Sequence, residues 1–284
     1  MIYIITPVFN RKDFTKNYLS ALSRQTSKNF KIIIVDDGSS DGTSEMIEEE
    51  FPEVLLLKEK GDLWWAEATN IGIKRAISLG AKYVMTLNDD TLPFPDFIEK
   101  MNYWLERKPS ALLGALAVDN ATGNALFAGE ILNWNNEISE FALDKVDKEF
   151  RNGIHEINIF PGRGFLIPTS VFEDIGFYDS RNFPQTMADL DFSIRATNFG
   201  YKTYCNYDAK IKIFHEESGG MKLLNEKSWK NYYEHLFGMK GGANLRWFTI
   251  FVFKNAPKRH LFQYWFKGMV RRVGGYLLQW LRGK

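Results

Sequence analysis

Three groups of acidic side chains in this chain have the types and spacing to do chemistry. Asn88-Asp89-Asp90 ends the apolar run Ala81 to Leu87, and Asp36-Asp37 ends the run Lys31 to Val35. Asp189 and Asp191 sit at the start of Ala188 to Gly200, which reads as a helix opened by acids and closed by glycine. Two adjacent carboxylates repel unless a positive charge lies between or beside them. A hard divalent cation is the usual solution, because Mg²⁺ takes one or two carboxylates and shares its other positions with phosphate oxygens and water. Asn88-Asp89-Asp90 therefore reads as a cation site that holds a phosphate, or as a polar turn whose Asp caps a helix at Pro95 to Leu105. Asp36-Asp37-Gly38-Ser39-Ser40-Asp41-Gly42 reads as a plain turn, or as a loop whose carboxylates accept hydrogen bonds from a base or ribose and whose glycines allow close approach. Asp189 and Asp191 either serve a reaction or only complement the helix dipole. Arg195 lies four residues past Asp191, within reach of an i,i+4 ion pair.

Other residues join these groups. Arg163, between Gly162 and Gly164, is a cation on flexible backbone, suited to a diphosphate or acidic acceptor, or to a surface ion pair. Trp64-Trp65 opens a helix and reads as core aromatics or as a stacking platform for a base or sugar ring. His215 follows a short strand ending at Phe214. A lone histidine is usually a satisfied structural group. Cys205 is the single cysteine, which excludes an intrachain disulfide and a multi-cysteine zinc site.

The elements that must position these residues alternate. Ile2 to Ile5, Lys31 to Val35, Val54 to Leu57 and Ala81 to Leu87 read as strands, apolar without alternation, which fits a parallel sheet covered on both faces. Helices at Ser44 to Phe51 and Ala66 to Leu79, with one after Asp13, make this a right-handed βαβ array, in which ligands sit at the carboxyl ends of strands. Pro93 is expected to end the regular pairing. Beyond it the pattern becomes mixed. Strands are expected at Ala111 to Val118, Asn124 to Leu132, Glu156 to Ile167 (interrupted by Pro161-Gly162-Arg163-Gly164), Tyr201 to Cys205 and Lys210 to Phe214. The fold class is α/β, a nucleotide-binding half fused to a mixed-sheet half.

The ordered set Thr6-Pro7-Val8-Phe9-Asn10, Val35-Asp36-Asp37-Gly38-Ser39-Ser40-Asp41-Gly42-Thr43 and Leu87-Asn88-Asp89-Asp90 resembles the inverting glycosyltransferases of family 2, with the GT-A fold. The resemblance covers Ile2 to Gly220 and implies a catalytic domain over residues 1–224. It implies that Asp90 holds Mn²⁺ or Mg²⁺, that Asp89 faces ribose or pyrophosphate, and that Asn88 stands where the family has an acid. By the same resemblance Thr6, Asn10, Asp36 and Asp37 line the nucleoside pocket, with Asp36 nearer the base. Asp62, Trp65 and Asn70 face the donor, Arg163 and Gly164 belong to an acceptor-side loop, and His215 is a further metal or pyrophosphate contact. Ala188-Asp189-Leu190-Asp191-Phe192-Ser193-Ile194-Arg195 resembles the family's acid-x-acid motif, which makes Asp189 the base and Asp191 an acceptor-orienting group. The Trp-Trp pair resembles a rhamnosyltransferase-like subgroup. Implied partners are a UDP- or dTDP-linked sugar and a saccharide or lipid-linked saccharide acceptor in polysaccharide or O-antigen assembly.

Net charge is +1 overall, but residues 225–284 carry +10 and the preceding body −9. Within that tail Leu261, Trp265, Met269, Val273, Leu277 and Trp280 recur at helical steps beside Gln263, Lys267 and Arg271. A basic, aromatic helix is expected at an anionic membrane surface, or packed on the catalytic domain or on a partner subunit, such as a second copy in a homodimer. Gly268, Gly274 and Gly275 weaken that helix. No nucleic-acid recognition motif accompanies the charge. No apolar run approaches the ~20 residues of a membrane span and the first strand starts at Ile2, so a cytoplasmic protein, peripheral at most, is expected. A nucleotidyltransferase would need a glycine-rich basic loop after the first strand, where Thr6 to Arg11 has no glycine. A non-catalytic scaffold would have lost the carboxylates.

Overall fold

The computed structural model describes residues 1–135, 139–214 and 227–282. Its sheet is built on strands whose alternate residues feed two different cores. In β1 (Ile2–Val8), Ile2 and Ile4 enter one apolar cluster while Tyr3 and Ile5 enter the other. In β2 (Phe30–Asp36), Ile32 and Ile34 join the first, Ile33 and Val35 the second. Burial on both faces is what an unbroken apolar run demands. The first cluster takes Leu19 and Leu22 of α1 (Lys12–Ser23), Met46 and Ile47 of α2 (Thr43–Glu50), and Met101 of α4 (Phe97–Arg107). The second takes Ala66, Ile73 and Ala76 of α3 (Trp64–Ser78). Gly72 is what lets α3 lie close on β1, since a Cβ there would come within 2.4 Å of the Ile5 side chain.

β3 (Leu55–Lys58), β2, β1 and β4 (Tyr83–Thr86) run parallel in that order. β11 (Phe165–Pro168) then pairs antiparallel with both β4 and β6 (Leu112–Asp119). β12 (Thr203–Ile213) lies parallel to β6, and β10 (Ile154–Ile157) closes that edge. β7 (Ala125–Phe127) folds back on β6. β8 (Glu130–Leu132) and β9 (Ser139–Phe141) form a separate two-stranded ribbon.

Three expectations are corrected. Asp89 and Asp90 do not cap a helix: they sit in a tight link between β4 and β5 (Thr91–Pro93), a strand that adds antiparallel to Ile211–Ile213 and ends at Pro93. The two short strands expected within Tyr201 to Phe214 are one strand, carried past a register shift between Asn206 and Lys210. Gly268 does not break the last helix, because it is a packing residue; a Cβ there would lie 2.1 Å from the Phe248 ring.

After β11 come α5 (Thr169–Ile175) and α6 (Ala188–Phe199), and then α7 (Trp229–Phe237), α8 (Leu245–Asn255) and α9 (Leu261–Leu281). Trp247, Phe248, Phe251 and Val252 of α8 and Tyr264 of α9 belong to the same core as Ile5 and Val35. On α9 the expected stripe turns partly inward, with Leu261, Trp265 and Met269 packed against that core. Among the apolar side chains left outside are their neighbours Phe262, Phe266 and Val270, at four-residue steps, with Val273, Leu278 and Leu281 further along.

Candidate active site

A cleft of about 650 Å³ opens at the carboxyl ends of β1, β2, β3 and β4. Its walls come from the loops there: Pro7 to Phe9 and Arg11, Asp37 and Gly38, Lys60 to Asp62 with Trp64 and Trp65, and Asn88 to Asp90. Gln185, just before α6, and Lys240, after α7, complete it.

Asp89 and Asp90 bring their charge into this cleft differently. Asp89 is 5% exposed and accepts a hydrogen bond from Thr15 Oγ1 at 3.2 Å. Arg11 Nε lies 3.0 Å from Asp89 Oδ2, and Arg11 Nη2 lies 3.7 Å from Asp90 Oδ2. Burial pushes the Asp89 carboxyl up to about 6, against the opposing pull of Arg11. The donors suit a hard divalent cation: carboxylate oxygens facing a cleft, with no sulfur. No cluster of three or more His, Cys, Asp or Glu side chains forms among the described residues. The chain there offers two carboxylates, which fits an ion that also binds phosphate oxygens and water. His215 lies outside the described residues.

The loops are held open by the residues expected to line them. Asp36 is 2% exposed; it accepts hydrogen bonds from Ser39 N at 2.9 Å and from the Ser44 hydroxyl, and it does not reach the cleft. The adjacent Asp37 does, and its carboxylate accepts from Leu63 N at 3.0 Å and Trp64 N at 3.2 Å. That grip fixes a backbone in which Asp62 and Trp64 both have positive φ, 107° and 60°. The strain turns Trp64, 37% exposed, toward the mouth of the cleft, with Asp62 beside it.

Asn10 accepts from Ser40 N at 2.7 Å and its own N–H donates to Ser39, tying the first loop to the second. Thr6 is fully buried, with its hydroxyl 2.7 Å from Tyr18 OH beneath the sheet. The expectation that Thr6 and Asn70 face a donor is corrected. Asn70 spends its amide on the Tyr178 backbone, donating to the carbonyl at 2.9 Å and accepting from the N–H at 3.1 Å.

Trp65 links this cleft to the second acidic group. Its indole N–H donates to Asn88 Oδ1 at 3.0 Å, and its ring packs edge-on against Tyr178 at 5.2 Å. Gly162 lies against the same ring, so that a Cβ there would come within 2.1 Å of it. The Gly162 N–H donates to Asp189 Oδ2 at 3.2 Å, and Leu190 N–H donates to Oδ1 at 3.0 Å. Burial raises the Asp189 carboxyl above its ordinary value; those two N–H groups and the charge of Arg163 oppose the rise. Glu130 of β8 also acts on this site. Burial raises its carboxyl, and the Asp189 charge adds to the rise.

Asp191 and Gly164 do not face an acceptor. Asp191 is fully buried and is held by Arg195 Nε at 2.8 Å, Lys254 Nζ at 3.0 Å and Asn255 Nδ2 at 2.9 Å. It bolts the start of α6 to the end of α8. Gly164 is inside the sheet with φ +77°, its N–H on Thr86 O at 2.8 Å and its absent Cβ 2.8 Å from Ala115. Arg11, Lys60, Gln185 and Lys240 were not expected here. Arg11 had a signal, directly following Asn10 at a strand end. Lys240 had none, because it reaches the cleft only through the folding of the tail.

The profile described as glycosyl transferase family 2 matches residues 3–176. An uncharacterized glycosyltransferase of Rickettsia felis is 37% identical over 253 residues, 83% of this chain but 38% of the relative's length. The chain thus spans about two fifths of that curated relative. Among solved structures, S. aureus TarS 1–349 in complex with UDP superposes with a TM-score of 0.59 at 14% identity, covering 100% of this chain and 92% of the other. GalNAc-T7 with UDP, GalNAc and Mn²⁺ gives 0.62 at 12% identity, covering 75% and 43%. These likenesses establish the GT-A fold.

Proposed function

This chain belongs to glycosyl transferase family 2, and we propose that it transfers a sugar, with inversion, from a nucleoside diphosphate to a hydroxyl of a saccharide acceptor. One observation carries the reading. Trp65 joins the Asn88–Asp90 carboxylate site to Gly162, whose N–H holds Asp189. A donor site and a half-buried carboxylate are thus braced against one ring.

In the proposed reaction the acceptor oxygen attacks the anomeric carbon opposite the diphosphate. The new carbon–oxygen bond forms as the carbon–phosphate-oxygen bond breaks, and the bonding pair leaves with the diphosphate. Asp189 takes the hydroxyl proton. Its partial burial suits that task, since a carboxylate short of water binds a proton more strongly. Gly162 N–H and Leu190 N–H fix the carboxylate's direction, and Arg163 supplies a nearby positive charge. Asp90, with Asp89 and His215, would hold Mn²⁺ or Mg²⁺, which when bound supplies positive charge to the departing diphosphate. Trp64 offers a stacking face to the base, and Asp37 and Asp62 stand beside it.

A UDP- or dTDP-linked hexose is the proposed donor, and the Trp64-Trp65 resemblance supports rhamnose as its sugar. The proposed acceptor is lipid-linked, in cell-surface polysaccharide or O-antigen assembly, a reading the basic tail supports. Exposed Phe262, Phe266 and Val270, near exposed Lys258 and Arg259, support contact with an anionic membrane surface. No helix among the described residues is long and apolar enough to cross a membrane. Residues 1–224 are proposed as the catalytic unit and 225–284 as its extension. A thermal-shift panel of UDP, dTDP and GDP sugars with Mn²⁺ tests the donor class. One nucleotide should raise the melting temperature, and a flat response to all of them would reject the donor site. Flotation with anionic liposomes should be lost on changing Phe262 and Phe266 to Ser; equal flotation of both forms would reject this face as the anchor.

A further inference from the structure

We propose that Arg11 is a diphosphate-binding residue which, in the nucleotide-free protein, rests on the carboxylates of the cation site, so that cation and nucleotide each favour the other's binding. The inference rests on the assignment of Asp90 as a metal ligand. Arg11 already stands where a cation would be needed, 3.0 Å from Asp89 Oδ2 and 3.7 Å from Asp90 Oδ2. The arrangement is an ion pair of poor directionality. Nε and Nη2 are buried atoms that make no hydrogen bond, although Nε is at ion-pair distance from Asp89. Planar guanidinium normally meets a carboxylate with two parallel N–H bonds, and here that fit is missing.

A divalent ion on the Asp90 oxygens would stand beside the guanidinium, and two cations that close repel. The guanidinium must then leave, and it has a place to go. Arg11 lines the cleft, and its guanidinium carbon lies 4.6 Å from the centre of the Phe14 ring, a platform that keeps the head group at the cleft wall. There the unmet N–H groups suit the oxygens of a diphosphate, for which arginine provides a fork of donors. Lys60 and Lys240 line the same cleft and add charge of the same sign. Cation binding without nucleotide must displace Arg11 for no return. With a diphosphate present, the displaced arginine gains a partner.

The test measures Mn²⁺ binding by electron paramagnetic resonance, with and without UDP, in the wild-type protein, Arg11→Met and Arg11→Lys. Without UDP, Arg11→Met should bind Mn²⁺ more tightly than wild type by about fivefold or more, the lower end of ordinary coupling between sites. Addition of UDP should tighten Mn²⁺ binding strongly in wild type and much less in Arg11→Met. Arg11→Lys keeps the charge and should stay close to wild type in the absence of UDP. Equal Mn²⁺ affinity of wild type and Arg11→Met without UDP would overturn the inference alone. Failure of every form to bind Mn²⁺, with UDP present, would overturn the metal assignment and the inference with it.

Discussion

Replacing Asp191 by Ala should cost far more than its place in an acidic helix start suggests. The carboxylate is fully buried and meets three side chains: Arg195 at 2.8 Å, Lys254 at 3.0 Å and Asn255 at 2.9 Å. Removing one member of a buried ion pair costs about 3–5 kcal/mol, because it strands the remaining charge. Here the stranded groups keep other partners. Lys254 retains Asp179 at 2.6 Å, Arg195 retains the Phe177 carbonyl at 2.8 Å, and Asn255 retains the Phe251 carbonyl at 3.1 Å. The lower end, about 3 kcal/mol, is therefore expected. For a chain of this size that lowers the melting temperature by about 6–12 °C. Lys16–Glu50 is the control, a pair at 2.7 Å whose side chains are 48% and 42% exposed. Glu50→Ala should cost about 1 kcal/mol or less. Urea unfolding of both variants provides the comparison. If Asp191→Ala is no more destabilising than Glu50→Ala, the bolt between α6 and α8 is not what the distances indicate.

Other perturbations separate the parts of the site. Gly162→Ala places a methyl group against the Trp65 ring and should destabilise by about 1–3 kcal/mol. It should also lower kcat about 10- to 100-fold by moving the N–H that holds Asp189; unchanged turnover would sever the proposed link. Trp64→Ala should weaken nucleotide affinity by about 1–3 kcal/mol if the ring stacks on the base, read by calorimetry. Asp89 yields a pH signature in the ligand-free protein. Its folded carboxyl sits at about 6, above the ordinary 3.8, so its contribution to stability is fully present below about pH 4 and is lost as pH rises through 6. Asp89→Asn should therefore gain on wild type between pH 4 and pH 7, and a constant gap would contradict the burial argument.

The parallel half of the fold was legible because apolar runs such as Ile32 to Val35 have nowhere to go but between two layers of helices. Motif spacing likewise marked the loops at the strand ends. Side-chain direction was not legible. Asp36 and Asp37 are neighbours of one type, yet pleating sends one into its own loop and the other to the cleft wall. Asn70 and Asp191 take partners more than 60 residues away, at Tyr178 and at Lys254 and Asn255, which no local pattern encodes. Gly164 looked like loop flexibility beside a cation. It is instead a sheet position where only glycine fits. For the stripe on α9, read as facing either a membrane or the catalytic domain, the cause is simpler. Aromatics occupy adjoining faces, so periodicity gave the helix and not which face packs inward.

The most direct test of the account is single-turnover transfer by Asp189→Asn, once the thermal-shift panel has found a donor. The variant keeps the side chain's shape beside Gly162 N–H but not its capacity as a base. The account predicts nucleotide affinity close to wild type, with sugar transfer reduced by a factor of about 10² or more. Transfer at near wild-type rate with an intact donor site would contradict it.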